Sequence, residues 1–219
     1  MLKGVIFDMD GLMVDTESLL QIFWCQAANE FGFPMQKEDV LGMRSLSPKY
    51  AIPYLHELFG ESFDYYAVKK RRIELMNAYI NKNGLVKKKG LDELLDFLKN
   101  TNLKIAVATA TNYERTEMYL KSINIFHLFD KIICGDMIKN GKPEPDIYLE
   151  ASKQLDLSPQ HCMALEDSPN GIMSAYKAGC IPVMVPDLSQ PDDNTKQMLY
   201  AQCTSLLDVI DVIKNIIKN

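Results

Sequence analysis

Nothing in this chain is long and apolar enough to cross a membrane: no hydrophobic stretch reaches the roughly 18 residues that a span needs. Cysteine is scarce as well. The five present are an odd number with no C-x-x-C pair, which reads as reduced thiols in a reducing compartment. Histidine supplies only His56, His127 and His161, at spacings that suit no metal and with no nucleophile as companion. Basic charge also runs short. The 24 Lys and Arg against 29 Asp and Glu leave a net charge of −5, so no basic surface calls for nucleic acid or an anionic membrane. No internal repeat or low-complexity tract is visible, and Asp8 and Asp10 break the apolar run that a signal peptide would need. The expectation is a cytoplasmic globular protein.

What is present fits one core with an insertion. The 219 residues exceed a typical single domain but are short for two, and 47% hydrophobic with 24% charged residues is an ordinary globular composition. Leu2 to Phe7 is nearly all apolar, as a buried parallel strand would be. After Asp15 the pattern turns helical. Leu20, Phe23, Trp24, Ala27, Ala28 and Phe31 share one helix face, Ser47-Pro48 marks a helix start, and a further stripe runs through Val68, Leu75, Met76 and Ile80. From Gly90 onward strands and helices alternate, with strands predicted at Lys104 to Thr109, Lys131 to Cys134, Cys162 to Leu165 and Ile181 to Val185. Such alternation predicts an α/β fold, a Rossmann-like parallel sheet with helices on both faces. Residues 1–15 and 84–219 would form this core, and 16–83 an inserted all-helical cap.

Four short segments carry the chemistry: Asp8-Met9-Asp10-Gly11, Thr109, Lys142 in Gly-Lys-Pro-Glu-Pro-Asp, and Glu166-Asp167. Three of them directly follow an apolar run. In a parallel sheet, ligands bind beyond the carboxyl ends of the strands, so these residues are expected in one crevice. Together they suit phosphoryl transfer, which needs a nucleophile, a cation and positive groups around the transferring oxygens. Asp8 would attack as a covalent nucleophile, and Asp10 would serve as general acid and base. A carboxylate facing a phosphate meets about 4 kcal/mol of repulsion per unit-charge pair at about 4 Å and an effective dielectric near 20, so cationic groups must stand close. Mg²⁺ favours oxygen ligands; the carboxylates of Asp8 and Asp167 and the carbonyl of Asp10 can supply them. Lys142 offers a point charge, and Thr109 a hydroxyl with the backbone N–H groups that follow it, beginning at Ala110.

These segments resemble the haloacid dehalogenase superfamily of phosphatases and phosphomutases. Residues 7–17, Phe-Asp-Met-Asp-Gly-Leu-Met-Val-Asp-Thr-Glu, look like the first motif of the subgroup with a helical cap after strand one. Val-Ala-Thr-Ala-Thr at 107–111 is similar to the second, Lys142 in Gly-Lys-Pro to the third, and Ala-Leu-Glu-Asp-Ser-Pro-Asn-Gly at 164–171 to the fourth. The resemblance covers essentially the whole chain. It implies an Mg²⁺-dependent phosphatase for a small phosphate monoester, a sugar phosphate or nucleoside-like monophosphate, working through an aspartyl phosphate. By the same resemblance Thr109 and Ala110 bind the phosphate, Asp167 is a metal ligand, and Glu166 is a ligand or stands just behind one.

Within the superfamily the chain looks most like β-phosphoglucomutase-like sugar phosphatases. Where the mutase has a histidine after its first motif, this chain has Ser18-Leu19-Leu20-Gln21, and the mutase's cap arginine is displaced by one position to Arg44. Arg44 is expected to touch substrate from the cap, and both departures favour a phosphatase over a phosphomutase. A non-enzymatic phosphometabolite-binding protein would be expected to lack Asp8 or Asp10. Two basic runs are read as surface: Lys69-Lys70-Arg71-Arg72 as a solvated helix face, Lys87-Lys88-Lys89 as an exposed linker.

Overall fold

The computed structural model describes residues 1–44 and 46–218. Six parallel strands form one sheet in the order β3-β2-β1-β4-β5-β6: β1 (Gly4–Phe7), β2 (Lys104–Thr109), β3 (Lys131–Cys134), β4 (Cys162–Glu166), β5 (Ile181–Met184) and β6 (Ala201–Gln202). The fold is the predicted Rossmann-like α/β sheet. Four helices make up the insert that follows β1: α1 (Glu17–Glu30), α2 (Lys37–Gly42), α3 (Pro48–Phe59) and α4 (Tyr65–Asn83). The remaining helices are α5 (Leu91–Lys99), α6 (Tyr113–Ser122), α7 (Asp146–Gln154), α8 (Pro169–Lys177), α9 (Asp193–Met198) and α10 (Leu206–Lys218).

Strand alternation divides the core in two. Val5, Phe7, Val107, Leu165 and Val183 face one side and pack with Leu94, Leu98, Val209 and Ile213 of α5 and α10. Ile6, Ala106, Ala108 and Ala164 face the other, where their small size lets α7 and α8 bring in Ile147, Tyr148 and Ala175. The helical insert has its own cluster around Trp24, Ala28, Met35, Leu55, Phe63 and Val68.

Two crossings of the chain join insert and core, and they are laced together. Asp15 N donates to Val86 O at 2.9 Å, and Lys88 N donates to Met13 O at 2.9 Å. Lys88 also pairs with Asp187 at 2.7 Å, so the middle of the lysine run is half-buried rather than a free linker. Ser47 and Pro48 open α3 at its N-cap and first helical position, as the sequence predicts, although the Ser47 side chain makes no capping bond. The sequence reading also lacked β6 and α9, whose short lengths carry little periodicity.

Candidate active site

Register builds the site. Phe7 pairs with Val107 on one side and Leu165 on the other, so the next residues, Asp8 and Glu166, emerge side by side at the carboxyl ends of β1 and β4. Asp8 N still donates to Leu165 O at 3.0 Å, which holds the carboxylate at the sheet edge. The turn beyond it needs Gly11, whose φ is +84°: a Cβ there would collide with Asp167 Oδ2 and Glu17 Cγ. Gly171 is constrained in the same way, since its Cβ would strike the Glu166 carboxylate.

Lys142, only 1% exposed, spends its ammonium on this cluster. It donates to Asp8 Oδ1, to Glu166 Oε1 at 2.6 Å and to the Ala108 carbonyl at 3.2 Å. Burial works against its charge, but Asp8 and Glu166 outweigh burial and raise its pKa. Glu166 is held on both oxygens. Tyr148 OH donates to Oε1 at 2.7 Å, while Asp167 N and Ser168 Oγ donate to Oε2 at 3.2 and 3.3 Å.

Asp10 points to a different set of partners. Thr16 Oγ1 donates to its Oδ1 at 2.7 Å, and Thr111 and Thr109 hydroxyls donate to Oδ2 at 2.7 and 3.4 Å. Thr109 Oγ1 in turn accepts from Thr111 N at 3.1 Å. Asp8, Asp10, Thr109, Ala110 and Arg44 all line one cavity of about 440 Å³ between insert and core. Lys142 lies behind it, lining a second space of about 210 Å³.

The donor set fits a hard cation. Oxygens of Asp8, Glu166 and Asp167 lie within 4.8 Å of one another. Asp167 is 0% exposed, and its Oδ1 has no hydrogen-bond partner among the described residues. Burial pushes the carboxyls of Asp8 and Asp167 well up, and neither Lys142 beside the first nor Arg44 beside the second cancels this. A dry cluster of oxygens with surplus negative charge suits Mg²⁺. The Asp10 carboxylate stands outside this trio, so its share in a cation site would come through its carbonyl, as the sequence suggested.

Arg44 reaches into the same cluster from the insert. It pairs with Asp167 Oδ2, lies 3.1 Å from Glu17 Oε2 and donates to Ser189 Oγ at 3.4 Å, while its carbonyl accepts from Asn170 at 3.0 Å. Sequence reasoning gave Glu17 and Tyr148 no role. Glu17 stood within the first motif and Tyr148 carried no signal. Burial raises the Glu17 carboxyl to about 8; Arg44 opposes that shift, and Asp10 and Asp8 add to it. The reading of Lys69 to Arg72 as a solvated face needs correction. Arg72 is buried under Trp24 and lines the larger cavity together with half-buried Lys69.

The model of the haloacid dehalogenase-like hydrolase family matches residues 5–185. The chain belongs to that family. A phosphorylated carbohydrates phosphatase of Thermotoga maritima is 31% identical over 178 residues, which cover 81% of this chain and 82% of the relative. The β-phosphoglucomutase of Bacillus subtilis is 29% identical over 192 residues, covering 84% and 83%. Among solved structures, β-phosphoglucomutase from Clostridium difficile superposes with a TM-score of 0.83 over 98% of this chain and 96% of its own. At 23% identity that likeness shows the fold alone. This family member is an enzyme of the phosphoric monoester hydrolase type, with phosphomutase as the alternative. No helix among its described residues is long and apolar enough to cross a membrane.

Proposed function

We propose that the chain is an Mg²⁺-dependent phosphatase that hydrolyses a small phosphorylated metabolite, a sugar phosphate or nucleoside-like monophosphate. The observation that most supports this is the meeting of Asp8, Glu166 and Asp167 with one buried lysine beside a cavity large enough for such a substrate. In this reading residues 16–83 are a cap over a core made of 1–15 and 84–219.

Asp8 attacks phosphorus through a carboxylate oxygen, and the bond to the ester oxygen breaks. Asp10 gives its proton to the departing alkoxide, then takes one from the water that attacks the aspartyl phosphate. The phosphorus–Asp8 bond breaks, and inorganic phosphate leaves. The hydroxyls of Thr16 and Thr111 aim Asp10 for both transfers. Thr109 and the backbone at Ala110 hold the phosphate oxygens, and Lys142 offsets the charge gathered on Asp8. Mg²⁺, held by Asp8, Asp167 and the Asp10 carbonyl with Glu166 as a ligand or just behind, would neutralise charge on the phosphoryl oxygens. The cap shields these steps from bulk water.

Phosphatase is preferred to mutase because Leu20, which lines the cavity, cannot donate a hydrogen bond, and because Arg44 is already engaged by Glu17 and Asp167. The test is a panel of phosphate monoesters assayed for phosphate release with and without Mg²⁺. Hydrolysis only with the metal is expected. A coupled assay that finds glucose phosphates interconverting faster than phosphate is released, with a bisphosphate activator present, would favour the mutase. Inactivity across the panel would favour a binding protein.

A further inference from the structure

The larger cavity has a second polar region that the phosphate chemistry above does not use. Arg72 of α4 and Arg115 of α6 approach it from the insert and from the core, with Lys69 one turn before Arg72 and Tyr119 one turn after Arg115. Three buried donor atoms here lack a hydrogen-bond partner among the described residues: Arg72 Nε, Arg115 Nε and Tyr119 Oη. Arg72 is 6% exposed and Tyr119 1%, so bulk water does not serve them.

No described carboxylate lies within ion-pair distance of Lys69, Arg72 or Arg115, although Arg44 and Lys142 in the same region are both paired to acids. The contacts Arg72 does make are weak ones: the Trp24 ring, 5.3 Å from its guanidinium carbon, and Met76 Sδ at 3.8 Å. Like charges gathered in a dry place repel one another. Burial and the two arginines lower the Lys69 ammonium to about 8, and burial with Arg115 lowers Arg72 to about 10. A fold that needed these side chains only for packing would be better served by apolar ones.

We infer that Arg72, Arg115 and Tyr119 form a subsite for a second anionic group, so that the preferred substrate is a phosphate monoester carrying a carboxylate or a second phosphate at its other end. This rests on the phosphate reading of Asp8 and Lys142, and it narrows the substrate class. Arginine supports it, because its planar fork matches the paired oxygens of either anion. Tyr119 adds a neutral donor. The subsite spans α4 and α6, so an anion bound there ties insert to core.

The test measures binding by calorimetry to Asp8→Asn protein, which holds substrate without turning it over. Phosphoglycerate, ending in a carboxylate, is compared with glycerol phosphate, and a hexose bisphosphate with a hexose monophosphate. At least one doubly anionic probe should bind tenfold or more tightly than its neutral-ended counterpart, and the pair that shows the preference identifies the anion. Adding Arg72→Gln or Arg115→Gln should each remove most of that preference, and Arg72→Lys should restore part of it. Arg115 is half-exposed, so its variant reads the subsite even if Arg72→Gln fails to fold. Equal binding within both pairs, or a preference that survives Arg115→Gln, would overturn the inference. Failure of wild-type protein to hydrolyse any monoester would count against the phosphatase reading and leave the binding comparison intact.

Discussion

Arg44 and Asp167 lie 123 residues apart in sequence and meet as a buried ion pair, one side chain from the helical insert and the other from the end of β4. Arg44 therefore occupies one oxygen of the carboxylate proposed to hold Mg²⁺, while the other oxygen has no hydrogen-bond partner among the described residues. In the function proposed above, the position of the insert and the loading of the metal would be linked through one carboxylate.

The first prediction follows from that link. Arg44→Gln strips the counter-charge from Asp167, and breaking a buried pair from one side costs about 3–5 kcal/mol. Metal-free variant protein should be less stable by about that amount in a urea titration, and Mg²⁺ should recover more stability in the variant than in the parent. If Mg²⁺ stabilises both equally, Arg44 and the cation do not share Asp167.

Asp8→Asn should leave the fold intact and abolish turnover, because the amide is neither nucleophile nor charged ligand. Residual activity within tenfold of the parent, a barrier change of only about 1.4 kcal/mol, would remove Asp8 from the nucleophile's role.

Asp167→Ala probes the metal in a different way. Chelator-treated parent should be inactive and recover with Mg²⁺, whereas the variant should need far more Mg²⁺ or fail to recover. Full activity in excess chelator would rule out the metal-dependent mechanism.

Glu17 predicts a pH dependence of stability. Its carboxyl rises from an ordinary 4.5 to about 8 on folding, so the folded chain holds the proton more tightly than the unfolded one does. The unfolded state therefore binds fewer protons across that interval, and stability falls as pH rises. The contribution is complete below 4.5 and gone above about 8. Metal-free protein should accordingly show a melting temperature that drops between those values, and Glu17→Gln should flatten the slope. An unchanged slope in the variant would show that Glu17 is not its source.

The sheet and three of the four site segments were legible because each apolar run stops at a residue that has no place in a core. Val5-Ile6-Phe7 gives way to Asp8, and Cys162 to Leu165 gives way to Glu166. Strand order then places β1 between β2 and β4, and the register of those pairs brings the ends together. Other features had no such signal. Ala201–Gln202 is too short to show a period of two. Composition alone made Lys69 to Arg72 look solvated, whereas packing of α1 on α4 carries Arg72 beneath Trp24. Tyr148 is an ordinary helix residue until Ala106 and Ala108 leave space for α7 to bring its hydroxyl to Glu166.

The paired crossings between insert and core have a mechanical meaning. A single strand would let the insert swivel about any axis, but two strands joined by hydrogen bonds at Asp15–Val86 and Met13–Lys88 behave as a ribbon, stiff to twist and pliant to bend. Any motion of the insert would then be confined to something like a door on its frame. An insert hinged in this way would bring Arg44 back to the same carboxylate on closing, and exchange of the Asp15 and Lys88 amides with solvent should be slower than opening of the door itself.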